Sequence, residues 1–203
     1  MLSMMEWARQ KGYSWDSVCA DIAESGNLDL LQLVRRDYGC PWDASTTAMA
    51  AQGGHFGCFL WALMNGCPMN ETVCAMAAAS GDMHSLSWAR INGCPWNERI
   101  CENAAKNGHL EILQYAHENG CPWDADTCAA AAENGYLELL RYAHENGCPW
   151  DELTCAKAAM NGHLHILQWA RDHGCPWDQL TLQMAEDTGH FEVLQWARDN
   201  GCH

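Results

Sequence analysis

Residues 121–147 decide the fold, and they read CPWDADTCAAAAENGYLELLRYAHENG. The first cysteine of this stretch recurs at a spacing of 27 residues along the chain. A fixed period of about 20–50 residues is typical of a solenoid, because each unit can bury its apolar face only against its neighbours. The sequence therefore predicts one repeat array over residues 1–203, made of a half repeat and seven repeats: 1–12, 13–39, 40–66, 67–93, 94–120, 121–147, 148–174 and 175–201.

Each repeat, with positions counted from its first cysteine, contains the signals for two helices. Position 4 is Asp or Asn in every copy, and both residues accept backbone N–H groups at a helix N-cap. An alanine-rich stretch follows, and a pair such as Asn134-Gly135 ends the helix because glycine tolerates positive φ. A second segment with a broad apolar stripe leads to the Cys-Pro-Trp turn, where the proline cannot continue a helix. No segment alternates like a strand, so we predict an all-α, elongated solenoid of helix-turn-helix repeats.

The chain is strongly acidic, with 26 Asp and Glu against 11 Lys and Arg and a formal charge of −15. This balance disfavours nucleic acid and anionic membrane surfaces as partners, and it favours a basic partner. No apolar run is long enough to span a membrane, and residues 1–13 lack the apolar core of a secretory signal. We therefore expect a protein of the cytoplasm or nucleus with no membrane association.

The two ends of the sequence depart from the pattern. Residues 2–9 match the second helix of an absent unit, so the chain opens inside a repeat. Near the other end, Glu186 replaces the usual alanine and Leu182 the usual cysteine, which is a mild polar shift. Because solenoids need polar terminal units, we expect the chain to be a segment of a longer array.

Residues 107–113 (NGHLEIL) and 161–167 (NGHLHIL), with the preceding pairs Ala104-Ala105 and Ala158-Ala159, resemble ankyrin repeats. The Cys-Pro-Trp-Asp and Trp-Ala-Arg segments are similar to a short ankyrin variant frequent in large DNA viruses, oomycetes and algae. The usual ankyrin unit has about 33 residues, so about six are missing here, between the second helix and the next cap. The resemblance implies a protein-binding array, but without the β-hairpin fingers that this region forms in the family.

The thirteen cysteines follow the repeat, which favours reduced, packed thiols over a disulfide framework. Positions 1 and 8 suggest pairs within repeats, namely Cys67/Cys74, Cys94/Cys101, Cys121/Cys128 and Cys148/Cys155. A metal site would need four converging ligands, whereas Thr47 and Leu182 occupy position 8 elsewhere. Redox use and metal binding remain the alternatives to packing.

Histidine is the commonest residue at position 16, but Asp82, Asn27 and Tyr136 share that position. A capping or turn role is therefore favoured over a row of metal ligands. Tryptophans recur at positions 3 and 22, where stacking on nucleic acid bases is the alternative to packing between repeats. On an acidic chain we expect core packing for both ladders: Trp15, Trp42, Trp96, Trp123, Trp150 and Trp177; and Trp7, Trp61, Trp88, Trp169 and Trp196, with Tyr115 and Tyr142.

A comparison of the copies separates scaffold from surface. Positions 6, 9, 10 and 13 of the first helix change freely and share one helical face, which the ankyrin resemblance implies is concave. Methionine-rich surfaces suit peptide or helix binding, and the alternative is random variation on a solvated face. The candidate partner-binding residues are Met49, Gln52, Met76, Arg99, Glu102, Asn103, Lys106, Asp126, Glu133, Leu153, Lys157, Met160, Leu180, Gln183 and Met184.

These patterns favour a non-enzymatic module that binds a protein or peptide on the concave face of its first helices. No nucleophile, glycine-rich phosphate loop or carboxylate pair stands in a catalytic context, so we expect no catalytic residue, no cofactor and no bound metal. The alternative is a passive spacer, or a solenoid that self-assembles by stacking its ends. We accordingly expect a monomer or a weak end-to-end assembly.

Overall fold

A computed structural model of the chain describes Trp15 and residues 17–202. This part contains fourteen helices and no strand, as the all-α prediction requires. The chain divides into two compact units between Trp96 and Asn97, here called the N-terminal and C-terminal units. The helices of the N-terminal unit are α1 (Val18–Glu24), α2 (Leu28–Tyr38), α3 (Ala44–Gln52), α4 (Phe56–Met64), α5 (Glu71–Ser80) and α6 (Met83–Ile91).

The C-terminal unit continues the same alternation of first and second helices. Its helices are α7 (Arg99–Lys106), α8 (Leu110–Glu118), α9 (Ala125–Glu133), α10 (Leu137–Glu145), α11 (Glu152–Met160), α12 (Leu164–Asp172), α13 (Gln179–Asp187) and α14 (Phe191–Asp199).

Within each unit the first helices pack side by side, α1 on α3 and α3 on α5, and likewise α7, α9, α11 and α13. Each first helix also packs on the second helix of its own repeat. Alanines such as Ala131 and Ala132 are fully buried and let the first helices approach closely, while Leu139 and Leu140 of the second helix fill the space behind them. Each unit is thus an all-α repeat solenoid, with the first helices in one layer and the second helices in another.

The predicted N-caps at position 4 form in four repeats. The side-chain oxygens of Asp43, Asn70, Asp151 and Asp178 accept backbone N–H groups two residues ahead, at 2.8, 3.1, 3.0 and 2.9 Å. The prediction is wrong for Asn97 and Asp124, whose Oδ1 atoms are buried without a hydrogen-bond partner. Asp16 lies outside the described residues.

Position 16 lies at the start of the second helix as predicted, but only its short polar residues cap that helix with their side chains. Asn27 accepts from Leu30 N at 3.0 Å, and Asp82 accepts from His84 N and Ser85 N at 3.1 Å. None of the five rings at this position caps its helix. Four of those rings instead cover the position-15 glycine of the preceding repeat: His55 on Gly26, Tyr136 on Gly108, His163 on Gly135 and His190 on Gly162.

All thirteen cysteines are free and buried. From Cys67 onward, the position-1 thiol donates to the position-4 carbonyl of the preceding repeat, as in Cys148 to Asp124 O at 3.2 Å. The thiol–thiol contacts also run between repeats. The free thiols that interact in this way are Cys19 with Cys40, Cys74 with Cys94, Cys128 with Cys148, and Cys155 with Cys175.

The thiol–thiol contacts run between repeats because position 8 lies on the side of the first helix that faces the next repeat. Burial raises the pKa of the Cys67 thiol to about 12, and burial with the bond to Cys40 raises that of Cys19 to about 12. These thiols therefore stay protonated and act as hydrogen-bond donors.

The tryptophans pack between repeats as predicted, but they do not belong to the core, because every described tryptophan is half-buried. The position-3 ring meets the position-22 ring of its own repeat edge to face, as in Trp150 and Trp169 with centroids 5.9 Å apart. Its own face is covered by position 24 of the preceding repeat. This contact, here called the clasp, joins Arg35 to Trp42, Arg90 to Trp96, His117 to Trp123, His144 to Trp150, and Arg171 to Trp177. Trp7 lies outside the described residues.

Candidate functional site

The fifteen candidate binding residues, here called the first-helix face, all lie on first helices and none is buried. Position 9 belongs to this face only where it is polar, as in Glu102 and Gln183. Where it is alanine it is buried, with Ala48 2%, Ala129 4% and Ala156 1% exposed. The prediction that position 9 is a surface position throughout is therefore wrong, because a small side chain there sinks between neighbouring first helices.

In the N-terminal unit the face is small and mostly apolar. Met49 on α3 and Met76 on α5 are half-buried, and Gln52 at the end of α3 is exposed. A shallow depression between these two helices is lined by Met49, Ser45 and Thr72, among others. Ser45 and Thr72 occupy position 6, one of the variable positions that the comparison of the copies assigns to this face.

In the C-terminal unit the face has an apolar part on α11 and α13. Four large side chains at positions 6, 10 and 13 are half-buried, which leaves part of each in contact with solvent. They are Leu153, Met160, Leu180 and Met184. Gln183 is exposed beside them.

A charged part of the same face lies on α7 and α9. Arg99, Lys106 and Asp126 are exposed, while Glu102 and Asn103 are half-buried. The two parts meet at an ion pair between α9 and α11, in which Lys157 Nζ lies 3.1 Å from Glu133 Oε1. The two side chains are only 30% and 31% exposed, so each charge is largely committed to the other. A half-exposed pair of this kind is worth about 1 kcal/mol or less.

Most cationic side chains in the described part of the chain already have a partner. Five arginines lie over tryptophan rings: Arg35, Arg36, Arg90, Arg141 and Arg171. Lys157 and Arg198 form ion pairs with Glu133 and Glu186. Among the residues that the structure describes, Arg99 and Lys106 alone have no ion pair, hydrogen bond or ring contact from their side chains.

Across Trp15 and 17–202, no three His, Cys, Asp or Glu side chains converge as metal ligands would. No helix in that part of the chain is both long enough and apolar enough to cross a bilayer.

Comparison with known proteins agrees with the helix pairs described above. Residues 127–171 match the family described as "Ankyrin repeats (many copies)". Among solved structures, the crystal structure of the human ASB11 ankyrin repeat domain matches with a TM-score of 0.66 at 18% identity, covering 88% of this chain and 96% of that chain. A search of curated proteins finds no match. The fold is that of an ankyrin repeat domain, and such repeats generally mediate protein–protein interaction.

Proposed function

We propose that this protein is a non-enzymatic interaction module that binds a protein or peptide on its first-helix face. The observation that carries the proposal is the apolar part of that face in the C-terminal unit. Leu153, Met160, Leu180 and Met184 remain partly in solvent, while the alanines between them are buried. Flexible methionine side chains adapt to different apolar partners, and the surface between two adjacent helices can take a row of apolar side chains from a bound peptide.

Selection from a random-peptide library on the immobilised chain tests this proposal without assuming a sequence. We expect the selected peptides to bind the variant Met160→Ser/Met184→Ser at least about 10-fold more weakly, because the variant removes two apolar anchors. The matched control is Met64→Ser on the second helix α4, where Met64 is 77% exposed and lies off the face. Selected peptides that bind the Met160→Ser/Met184→Ser variant as tightly as the unaltered chain contradict the proposal.

A second candidate function is self-association through end-to-end stacking of the repeat array. Phe191 at the start of α14 is 70% exposed, whereas Leu110, Leu137 and Leu164 at the same repeat position are half-buried. Stacking predicts a molar mass that rises with concentration and that Phe191→Ser returns to the monomer value. Light scattering over a concentration series distinguishes this function from peptide binding, which predicts a constant mass.

The proposed location is the cytoplasm or nucleus. Thirteen free thiols support a reducing compartment, since several lie in adjacent pairs that an oxidising environment would favour converting to disulfides. Fusion of the chain to a fluorescent protein and imaging in cells tests this placement.

A further inference from the structure

The unpartnered cations of the C-terminal unit point to the chemistry of the partner. Arg99 and Lys106 stand seven residues apart on α7, which is about two helical turns or about 10 Å. Both are exposed, and both belong to the first-helix face. A partner that lies along this face therefore meets two positive charges that the described residues leave uncompensated.

The lack of a partner is unusual in a chain with 26 acidic residues. Glu102 lies three residues after Arg99 and four before Lys106, which is the spacing that favours ion pairs on a helix. Nevertheless, no nitrogen of either cation comes within 4.0 Å of a carboxylate in the described part of the chain. The guanidinium of Arg99 is free to bind a carboxylate through two parallel hydrogen bonds, and the ammonium of Lys106 can attract a second carboxylate.

We propose that the C-terminal unit binds an acidic-apolar peptide segment, an inference that rests on the proposed function. Apolar residues of the segment pack on Leu153, Met160, Leu180 and Met184, and carboxylates of the same segment engage Arg99 and Lys106. The intervening ion pair of Glu133 and Lys157 is internally compensated, so it adds no net charge between the two contacts.

The spacing of the helices sets the length of the segment. Helix α7 is two repeats from α11, and neighbouring packed helices lie about 8–10 Å apart, so the two contacts are about 20 Å apart. About six residues of extended chain or about thirteen residues of helix span that distance. Asp126 on α9 is exposed between them, so the middle of the segment is neutral or basic.

The total charge of −15 predicts a basic partner, and it opposes this inference at long range. Charges separated by more than about 8 Å are screened at physiological ionic strength, whereas a carboxylate in contact with Arg99 lies well within that distance. Contact therefore outweighs the overall field at the site. The overall field lowers the association rate rather than the specificity.

Three fluorescein-labelled peptides test the inference. They share an apolar half and a neutral linker, and they differ only in an end of three Glu, three Gln or three Lys. We expect anisotropy titrations to give the order Glu, Gln, Lys from tightest to weakest, with about 10-fold between Glu and Gln. The variant Arg99→Glu/Lys106→Glu reverses the order, and the control Arg36→Glu in the N-terminal unit leaves it unchanged.

The outcomes separate this inference from the proposed function. Equal affinities for the three peptides, a Glu preference that survives Arg99→Glu/Lys106→Glu, or no binding by any of them overturns the inference alone. Peptides from the unbiased library still decide the proposed function, because they carry no imposed charge. If the peptides selected from the library need Met160 and Met184 but are not enriched in Asp or Glu, the proposed function is supported and the inference of an acidic partner is contradicted.

Discussion

Two interfaces between successive repeats, one in each unit and here called links, have the same buried core but differ in the contacts at its rim. In the C-terminal unit, the link from repeat 148–174 to 175–201 has the thiol bond of Cys175 to Asp151 O, the clasp of Arg171 on Trp177, and the His190 ring over Gly162.

In the N-terminal unit, the link from repeat 40–66 to 67–93 keeps only the first of these contacts, the bond of Cys67 to Asp43 O at 3.1 Å. Leu63 and Met69 replace the clasp, and nothing covers Gly54 because Asp82 carries no ring. An arginine or histidine at position 24 thus occurs wherever position 3 of the next repeat is tryptophan. At this link both residues of the clasp are replaced together. The buried core is common to both units, and what differs is the contact at its rim.

The largest effect is expected from adding a methyl group to the covered glycine. Gly162 has φ +72°, and a Cβ there would lie 2.7 Å from the His190 ring. Gly162→Ala should lower the free energy of unfolding by about 3 kcal/mol, since the left-handed backbone and the collision both cost energy. Gly54→Ala has φ +70° but no neighbour within 4 Å, so only the backbone cost of about 1–2 kcal/mol applies.

Urea denaturation measures both variants, and the variant Gly162→Ala/His190→Asp should recover to the level of Gly54→Ala. Equal losses from Gly54→Ala and Gly162→Ala would mean that the ring over the glycine adds nothing to this link.

The next effect concerns the buried threonines at position 7. The Thr154 hydroxyl is fully buried without a hydrogen-bond partner, whereas Val73 occupies the same position in the N-terminal unit. Thr154→Val should raise the free energy of unfolding by about 1 kcal/mol, because it removes an unsatisfied polar group without changing the volume. Thr46→Val should lower it, since Thr46 hydrogen-bonds the Cys67 thiol. A gain in both variants would contradict the assigned bond.

A smaller effect is expected from moving the clasp into the N-terminal unit. The double variant Leu63→Arg/Met69→Trp should raise the free energy of unfolding by about 0.5–1 kcal/mol, because a guanidinium over a tryptophan face is attractive. Each single change should have little effect, so the gain appears as coupling in a double-mutant cycle. Additive single effects would show that the clasp does not stabilise the link.

The smallest effect is a pH dependence at His163, whose pKa is lowered by burial. His163 Nε2 lies 3.1 Å from the Glu133 carbonyl, which can only accept, so Nε2 carries the proton of the neutral ring. Since the folded state binds the second proton less readily than the unfolded state, stability should fall as pH drops below the ordinary histidine value of about 6.5. His163→Tyr, which copies Tyr136, should weaken this fall in melting curves from about pH 7 to about pH 5. An unchanged slope would assign the pH dependence to other groups.

Many residues of the first-helix face could be predicted by comparing the repeats, because the face that a residue occupies on a helix follows from its position within one repeat. Positions 6, 10 and 13 reach solvent in the repeats from 40–66 to 175–201 except at Ala130, which is buried, and Met160 and Met184 remain partly exposed. Position 9 could not be assigned in this way, since the variation between Ala156 and Glu102 looks the same in a sequence whether the alanine is buried or exposed. The unpartnered state of Arg99 was also beyond the sequence, because Glu102 stands at the spacing of a helical ion pair.

By itself the sequence determined the 27-residue period, the paired helices and the glycine turns. These depend on backbone preference and on the periodicity of apolar residues within a single repeat. Only the tertiary structure decided that Cys128 meets Cys148, that His144 stacks on the next tryptophan, and that His190 lies over Gly162. Such contacts join residues of different repeats, and they depend on how two helix pairs pack, which the period leaves undefined.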